Sequence, residues 1–395
     1  MYNIHHILRW MLFLSLSCFS ICLFWRQIPY TKTVLYSLSI LCVISGLFAT
    51  KNRLLYHSFN SQALLWGPLL GSFIVFMVIH GVSGLSQYLH FIAISFLLHF
   101  ALTNFHINRL WIIRIFSINV LVISTFVVFY ILQNGLATYI AGVNKNLLVP
   151  EIALVCSVIT CFFCSNFSRL DLFDKTFFAL TILVNVIAVV LSEVRTAILV
   201  YFSIFPVLLL SNRSALTKSL PWLILLTVIV VLSFFLTGRF QEGINDLLLY
   251  RENNANSSWG IRLELWKTAI SAFPEHPIIG WGRKPIVSII AAGYPFAVPS
   301  FLTNHFHNDF FNILAGGGIV LTAGWLTTIF LMTKSSISDP SRLALVFGSL
   351  AIGLTERFWA ANIPGLFIFM ICWLLLTLSS FSEEQPPTGH LIGDK

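Results

Sequence analysis

Apolar runs of about twenty residues, the length that crosses the hydrocarbon of a bilayer as a helix, recur along most of this chain. They fall at about 9–25, 34–50, 63–82, 88–104, 110–132, 147–165, 176–192, 197–211, 220–238, 309–332, 341–357 and 360–381. The pattern predicts an all-α integral membrane protein with about twelve transmembrane helices. The first run, Trp10 to Trp25, ends in bulky Phe24 and Trp25 with no small-residue cleavage site, so it is read as a retained span rather than a signal peptide. One long polar excursion interrupts the series. The organisation expected is helices 1–9 over residues 1–238, a large loop over 239–308, helices 10–12 over 309–381, and a short polar tail over 382–395.

Composition agrees with this picture and removes other classes. With 57% hydrophobic and 10% charged residues, an ordinary soluble globular protein is excluded. The net charge of +8 forms no stripe of the kind that follows nucleic acid, so the charges are assigned to topology, membrane lipids and anionic ligands. With the N-terminus inside, the short inner loops and ends carry Arg9, Lys51, Arg53, Arg109, Arg114, Arg169, Lys175, Arg213, Lys218, Lys334, Arg342 and Lys395. The short outer loops carry only Arg26, Lys32, Lys145, Arg195 and Arg357. Positive charge stays on the cytoplasmic side, which places the 239–308 loop outside; in a bacterial inner membrane that is the periplasm. The seven cysteines all lie in or beside apolar runs, so neither a disulfide framework nor a role for the Cys161/Cys164 pair beyond packing is expected.

The loop contains its own helix signal. Ser257 or Ser258 can cap it, Ile261, Leu265, Trp266, Ala269, Ile270 and Phe273 recur at helical spacing, and Pro274 and Pro277 follow its end. This amphipathic helix is expected to lie on or in the membrane surface. Candidate chemistry gathers at the same depth: Arg195 after span seven, Arg262 in the first turn of the loop helix, His305 and His307 before span ten, and Arg357 between the last two spans. Ionisable groups at a membrane interface are costly and usually functional. Each also has a plainer reading, with Arg195 snorkelling beside Glu193 and Arg262 beside Glu264. Two arginines at a dry interface suit a phosphate or pyrophosphate, whose oxygens take paired hydrogen bonds from guanidinium. A histidine has the ordinary pKa best matched to proton abstraction near neutral pH. His305 either orients a ligand or sits among headgroups. Gly316, Gly317 and Gly318 permit close packing or loosen the helix. No nucleotide loop, HExxH or carboxylate pair for a metal is present, so neither cofactor nor metal is expected.

The segment His307-Asn308, nine residues, then Gly318 resembles the H-[N/S/Q]-x9-G-x-x-[G/T/Y] pattern of the O-antigen ligase family, departing at the last position, Leu321. RLELWKTAISAFPEHPIIGWG is similar to the periplasmic loop of the wider superfamily, and VRTA to its earlier arginine motif. The resemblance implies a GT-C-like all-α fold and an inverting, metal-independent glycosyltransferase. Its donor would be O-antigen on undecaprenyl pyrophosphate and its acceptor a hydroxyl of lipid A-core. On that resemblance Arg195 and Arg262 hold the pyrophosphate and His307 activates or positions the acceptor hydroxyl; His305, Asn308 and Arg357 are further candidate substrate contacts. The alternatives are an O-antigen polymerase using the same donor, and a lipid-linked oligosaccharide flippase.

Overall fold

The computed structural model describes residues 107–136, 139–140, 143–211, 238–282, 284–293, 305–359 and 363–380, with scattered positions in 67–79 and 214–235. The expected spans at 9–25, 34–50 and 88–104, and the tail at 382–395, lie outside these residues. Among the described residues, four helices are long and apolar enough to cross a membrane: Arg109–Asn134, Lys145–Arg169, Leu172–Ser192 and Asp309–Ser336. Shorter apolar helices occupy Arg195–Ser211, Pro340–Gly353 and Ile363–Leu378. These seven coincide with the apolar runs predicted there. The architecture is that of a mostly helical membrane protein.

In chain order the helices are α1 (Arg109–Asn134), α2 (Lys145–Asn166), α3 (Leu172–Ser192), α4 (Arg195–Phe202), α5 (Ile204–Ser211), α6 (Arg239–Arg251), α7 (Ser258–Ala272), α8 (Pro285–Ala291), α9 (Asp309–Ser336), α10 (Pro340–Gly353) and α11 (Ile363–Leu378). Two ladders of two residues add little: 107–108 pairs with 379–380 in parallel, and 139–140 pairs with 143–144 antiparallel. The helix starts are chemically marked. Asn108, Asn144 and Asp171 each cap a helix, their side-chain oxygens accepting from Leu110, Asn146 and Asp174 N–H at 2.8, 2.9 and 2.7 Å.

Helix α2 is enclosed by α1, α3, α4 and α10, and its residues from Leu148 to Phe162 are buried. By contrast α1 leaves Ile118, Val122, Phe129 and Leu132 exposed, and α3 leaves Leu180, Leu183 and Ile187 exposed. Apolar side chains on an outer face are what a lipid-facing helix requires. Cys156, Cys161 and Cys164 are buried thiols of α2 and Cys372 of α11.

Charge gathers at the two ends of this bundle. At one end Arg109 and Arg342 both hold Asp339, at 2.6 and 2.7 Å, and Arg114 grips Asp174 through two bonds of 2.8 and 2.9 Å. These residues sit at the starts of α1, α3 and α10. The opposite end of α10 meets the starts of α4 and α9, where the candidate site residues lie.

Helix α7 forms where its sequence signals place it, capped by Ser257 Oγ, which accepts from Gly260 N–H at 3.0 Å. Part of its apolar side packs on protein. Leu265, Ala269 and Ala272 are buried against Ile286, Ile289, Phe306 and Ala315 in a second core, while Ile270 is left 59% exposed. Most of the apolar side of α7 is therefore covered by protein.

Helix α9 is broken at Gly318, whose φ of 61° and ψ of −158° leave the helical region. The break frees backbone groups, and the loop at 277–282 takes them up. Trp281 and Gly282 N–H donate to Ala315 and Gly316 carbonyls at 2.7 and 2.8 Å, and Ile319 and Val320 N–H donate to Pro277 and Ile278 carbonyls at 2.8 and 3.2 Å. Non-helical backbone at membrane depth is tolerated when every freed group is paired in this way. A Cβ on Gly318 would stand 2.4 Å from Ile278 O, and one on Gly280 2.4 Å from Gly316 O. The glycines thus both loosen the helix and permit a close approach, to a loop rather than to another helix.

Candidate functional site

His307 lies just before α9, at the end of the long polar loop, with a backbone φ of 50° that a non-glycine residue seldom adopts. The surrounding contacts hold it there. Phe306 is fully buried in the second core, its N–H donates to Asn312 Oδ1 at 3.0 Å, and its carbonyl accepts from Trp266 Nε1 at 2.9 Å. Asn308 caps α9 by accepting from Phe311 N–H at 3.3 Å, and donates through Nδ2 to Leu354 O at 3.0 Å. Its amide is thus occupied in fixing the link.

The centre of the site is Glu356, which sequence reasoning did not single out. Its Oε2 is 3.3 Å from His307 Nδ1 and 3.8 Å from His305 Nε2, and its Oε1 is 3.5 Å from Arg262 Nη2. The His305 and His307 rings lie side by side, with centroids 4.0 Å apart. Burial alone would push the Glu356 carboxyl up. The two imidazoles and the Arg262 cation outweigh it and hold the group at about 2, so it is an anion at neutral pH. Burial lowers His305, against the pull of Glu356, and the His307 and Arg357 charges lower it further, favouring a neutral ring.

Glu356 is placed by the buried carboxylate of Asp309, which accepts from Phe358 N–H at 3.0 Å and from Trp359 N–H at 2.8 Å. This clamp ties the turn after α10 to the first residue of α9, two positions from His307. A second tie, 2.6 Å between Thr196 and Thr355 hydroxyls, joins the same turn to the start of α4 beside Arg195.

The arginines differ in setting. Arg262 donates to Ser258 Oγ at 2.7 Å and faces Glu356, while its buried Nε has no hydrogen-bond partner. Burial lowers its pKa, opposed by Glu356 and reinforced by the Arg195 charge nearby. A guanidinium with an unspent buried donor is suited to an entering oxyanion. Arg195 pairs with Glu242 of α6 at 3.1 Å. Glu264 bonds the Tyr250 hydroxyl at 2.8 Å rather than Arg262. Arg357 is half-buried beside Glu356 and makes none of these direct contacts; only its charge reaches the cluster, through His305.

His305, His307 and Glu356 each offer one donor atom, all within 4.8 Å of one another, a group that among the described residues could hold a divalent cation. The Arg262 guanidinium already supplies positive charge to the same carboxylate. The signal that could have found Glu356 is its place at the lip of a span, next to Arg357.

The fold and this cluster define a helical membrane protein with a half-buried arginine and two half-buried histidines around a buried carboxylate at one end of its bundle. Residues 178–326 match the family model described as O-Antigen ligase. An O-antigen ligase from Escherichia coli (strain K12) is 26% identical over 164 residues, which is 39% of this chain and 38% of that protein. The resemblance to the O-antigen ligase family is thus shown over the stretch that holds Arg195, Arg262 and His307, whereas Glu356 lies beyond the family match.

Proposed function

We propose that this protein is a glycosyltransferase that moves O-antigen polysaccharide from undecaprenyl pyrophosphate to lipid A-core, at the periplasmic face of a bacterial inner membrane. The observation that carries this reading is the meeting of Arg262 and His307 on one carboxylate, Glu356. A group transfer from a pyrophosphate needs a cationic partner for the leaving group and a base for the nucleophile, and here the two stand on opposite oxygens of one anchor.

In the reaction, the acceptor hydroxyl oxygen forms a bond to the anomeric carbon as the bond from that carbon to the pyrophosphate oxygen breaks. A single displacement inverts the anomeric configuration. The hydroxyl proton passes to His307, and the pyrophosphate leaves as an anion against Arg262 and Arg195. With Nδ1–H of His307 donating to Glu356, the other ring nitrogen carries the lone pair that accepts the proton, and the carboxylate stabilises the imidazolium that results. The half-buried Arg262 guanidinium stabilises leaving-group charge that a metal would otherwise neutralise.

Purified protein supplied with an undecaprenyl-pyrophosphate glycan and either lipid A-core or a second lipid-linked glycan, in excess chelator, tests the reading. Transfer to lipid A-core is expected. Extension of the second glycan alone would make the protein a polymerase. Activity lost to chelation and restored by a divalent ion would assign His305, His307 and Glu356 to a metal.

A further inference from the structure

Helix α6 follows an apolar segment and carries an unusual division of its faces. Ile224, Val228, Val231 and Phe235, at helical spacing, are all exposed in the preceding segment. Gly238, with φ of 71°, turns the chain into α6, and the Phe235 and Phe240 rings meet across that turn at 4.8 Å. From there Phe240, Ile244, Leu247 and Leu248 continue the exposed apolar stripe, at 42%, 37%, 51% and 52% exposure. Their spacing of four, three and one residues puts them on one side of a helix.

The opposite side carries the polar contacts, with Leu249 also there at 37% exposure. Glu242 holds Arg195 at 3.1 Å, and Asp246 accepts from Trp259 N–H at 3.4 Å, at the start of the helix that bears Arg262. One flank of α6 thus supports both arginines of the site, while the other presents four large apolar side chains. In water such a face would be costly, at about 25 cal/mol for each Å² of apolar surface left uncovered. Its continuity with the exposed apolar face of the preceding segment identifies what covers it.

We propose that α6 is an interfacial helix, its Phe240, Ile244, Leu247 and Leu248 face embedded among phospholipid acyl chains at the membrane surface. Its acidic face then fixes Arg195 and the start of α7 at the depth of lipid headgroups. Exposed Arg251, in the last turn, is placed to reach lipid phosphates. The site is thereby held where lipid-borne phosphates lie. The inference rests on the membrane class of the protein and not on the transfer chemistry.

A photoactivatable benzoylphenylalanine introduced at position 247, 245 or 122 of the full chain tests this in vesicles of phosphatidylethanolamine and phosphatidylglycerol. Val122, 51% exposed on α1, reports that lipid capture works; Asn245 lies off the apolar stripe of α6. A covalent phospholipid adduct is expected from 247 as from 122, and at least about tenfold less from 245, because only one side of an interfacial helix enters the acyl chains. Adducts from 122 without adducts from 247 would overturn the proposal. So would a crosslink from 247 to a second copy of the protein in place of lipid. Neither outcome depends on transferase activity, so the two readings fail separately.

Discussion

His307 Nδ1 stands 3.3 Å from Glu356 Oε2 although the residues are 49 positions apart, and the carboxylate they share with Arg262 joins the two halves of the proposed reaction. Removing the negative charge while keeping the shape separates its role from simple packing. Glu356→Gln is expected to lower turnover by about a hundredfold or more, since an amide cannot stabilise the imidazolium formed as the acceptor loses its proton. Single-turnover transfer at saturating donor measures this. Unchanged turnover would reduce Glu356 to a scaffold residue.

The arginines act through geometry as well as charge. Arg262→Lys retains a cation but loses the planar fork, so donor affinity and transfer are expected to fall nearly as far as in Arg262→Ala. Binding of a labelled undecaprenyl-pyrophosphate analogue reads the difference. Full activity of the lysine variant would mean that a surface charge suffices.

Gly318 tests the link between loop and bundle. A methyl group there would press on Ile278 O from 2.4 Å, at a φ that side chains avoid, so Gly318→Ala must disturb the four backbone bonds between 277–282 and α9. A loss of roughly 1–3 kcal/mol is expected from the strained backbone alone, read as a lower unfolding temperature in detergent and faster proteolysis within the loop. A variant as stable as the parent would show that the break in α9 is incidental.

Seven of the apolar runs, the capped loop helix and the nearness of Arg262 to His307 were legible in the sequence, because each depends on local spacing or on a short motif. Ser257, the apolar repeat and Pro274 mark α7 without reference to anything distant. Glu356 was not legible in this way. It reads as an ordinary loop charge beside Arg357 until Asp309 brings its turn against the start of α9. The burial of α7 was equally hidden, because hydrophobic spacing specifies an apolar face but not whether lipid or protein covers it. Gly318 was marked by the motif, yet its purpose appears only with the loop that docks into the broken helix.

The pKa of Glu356 carries a stability consequence. The group is depressed from an ordinary 4.5 to about 2 in the folded protein, so the stability it contributes is fully present above pH 4.5 and is lost as pH falls towards about 2. Thermal unfolding in detergent should therefore show a difference between the parent and Glu356→Gln that shrinks as pH falls from 4.5 towards about 2. A difference that stayed constant through that range would mean that the Glu356 carboxylate does not carry the linkage.

The central claim is that His307 serves the acceptor while the arginines serve the donor, and His307→Ala tests it most directly when donor binding and transfer are measured on the same preparation. The account predicts donor affinity within about twofold of the parent and transfer to lipid A-core reduced by at least about a hundredfold, the contribution of a positioned base. Lost donor binding with near-normal turnover at saturating donor would contradict it, and would place His307 among the phosphate contacts.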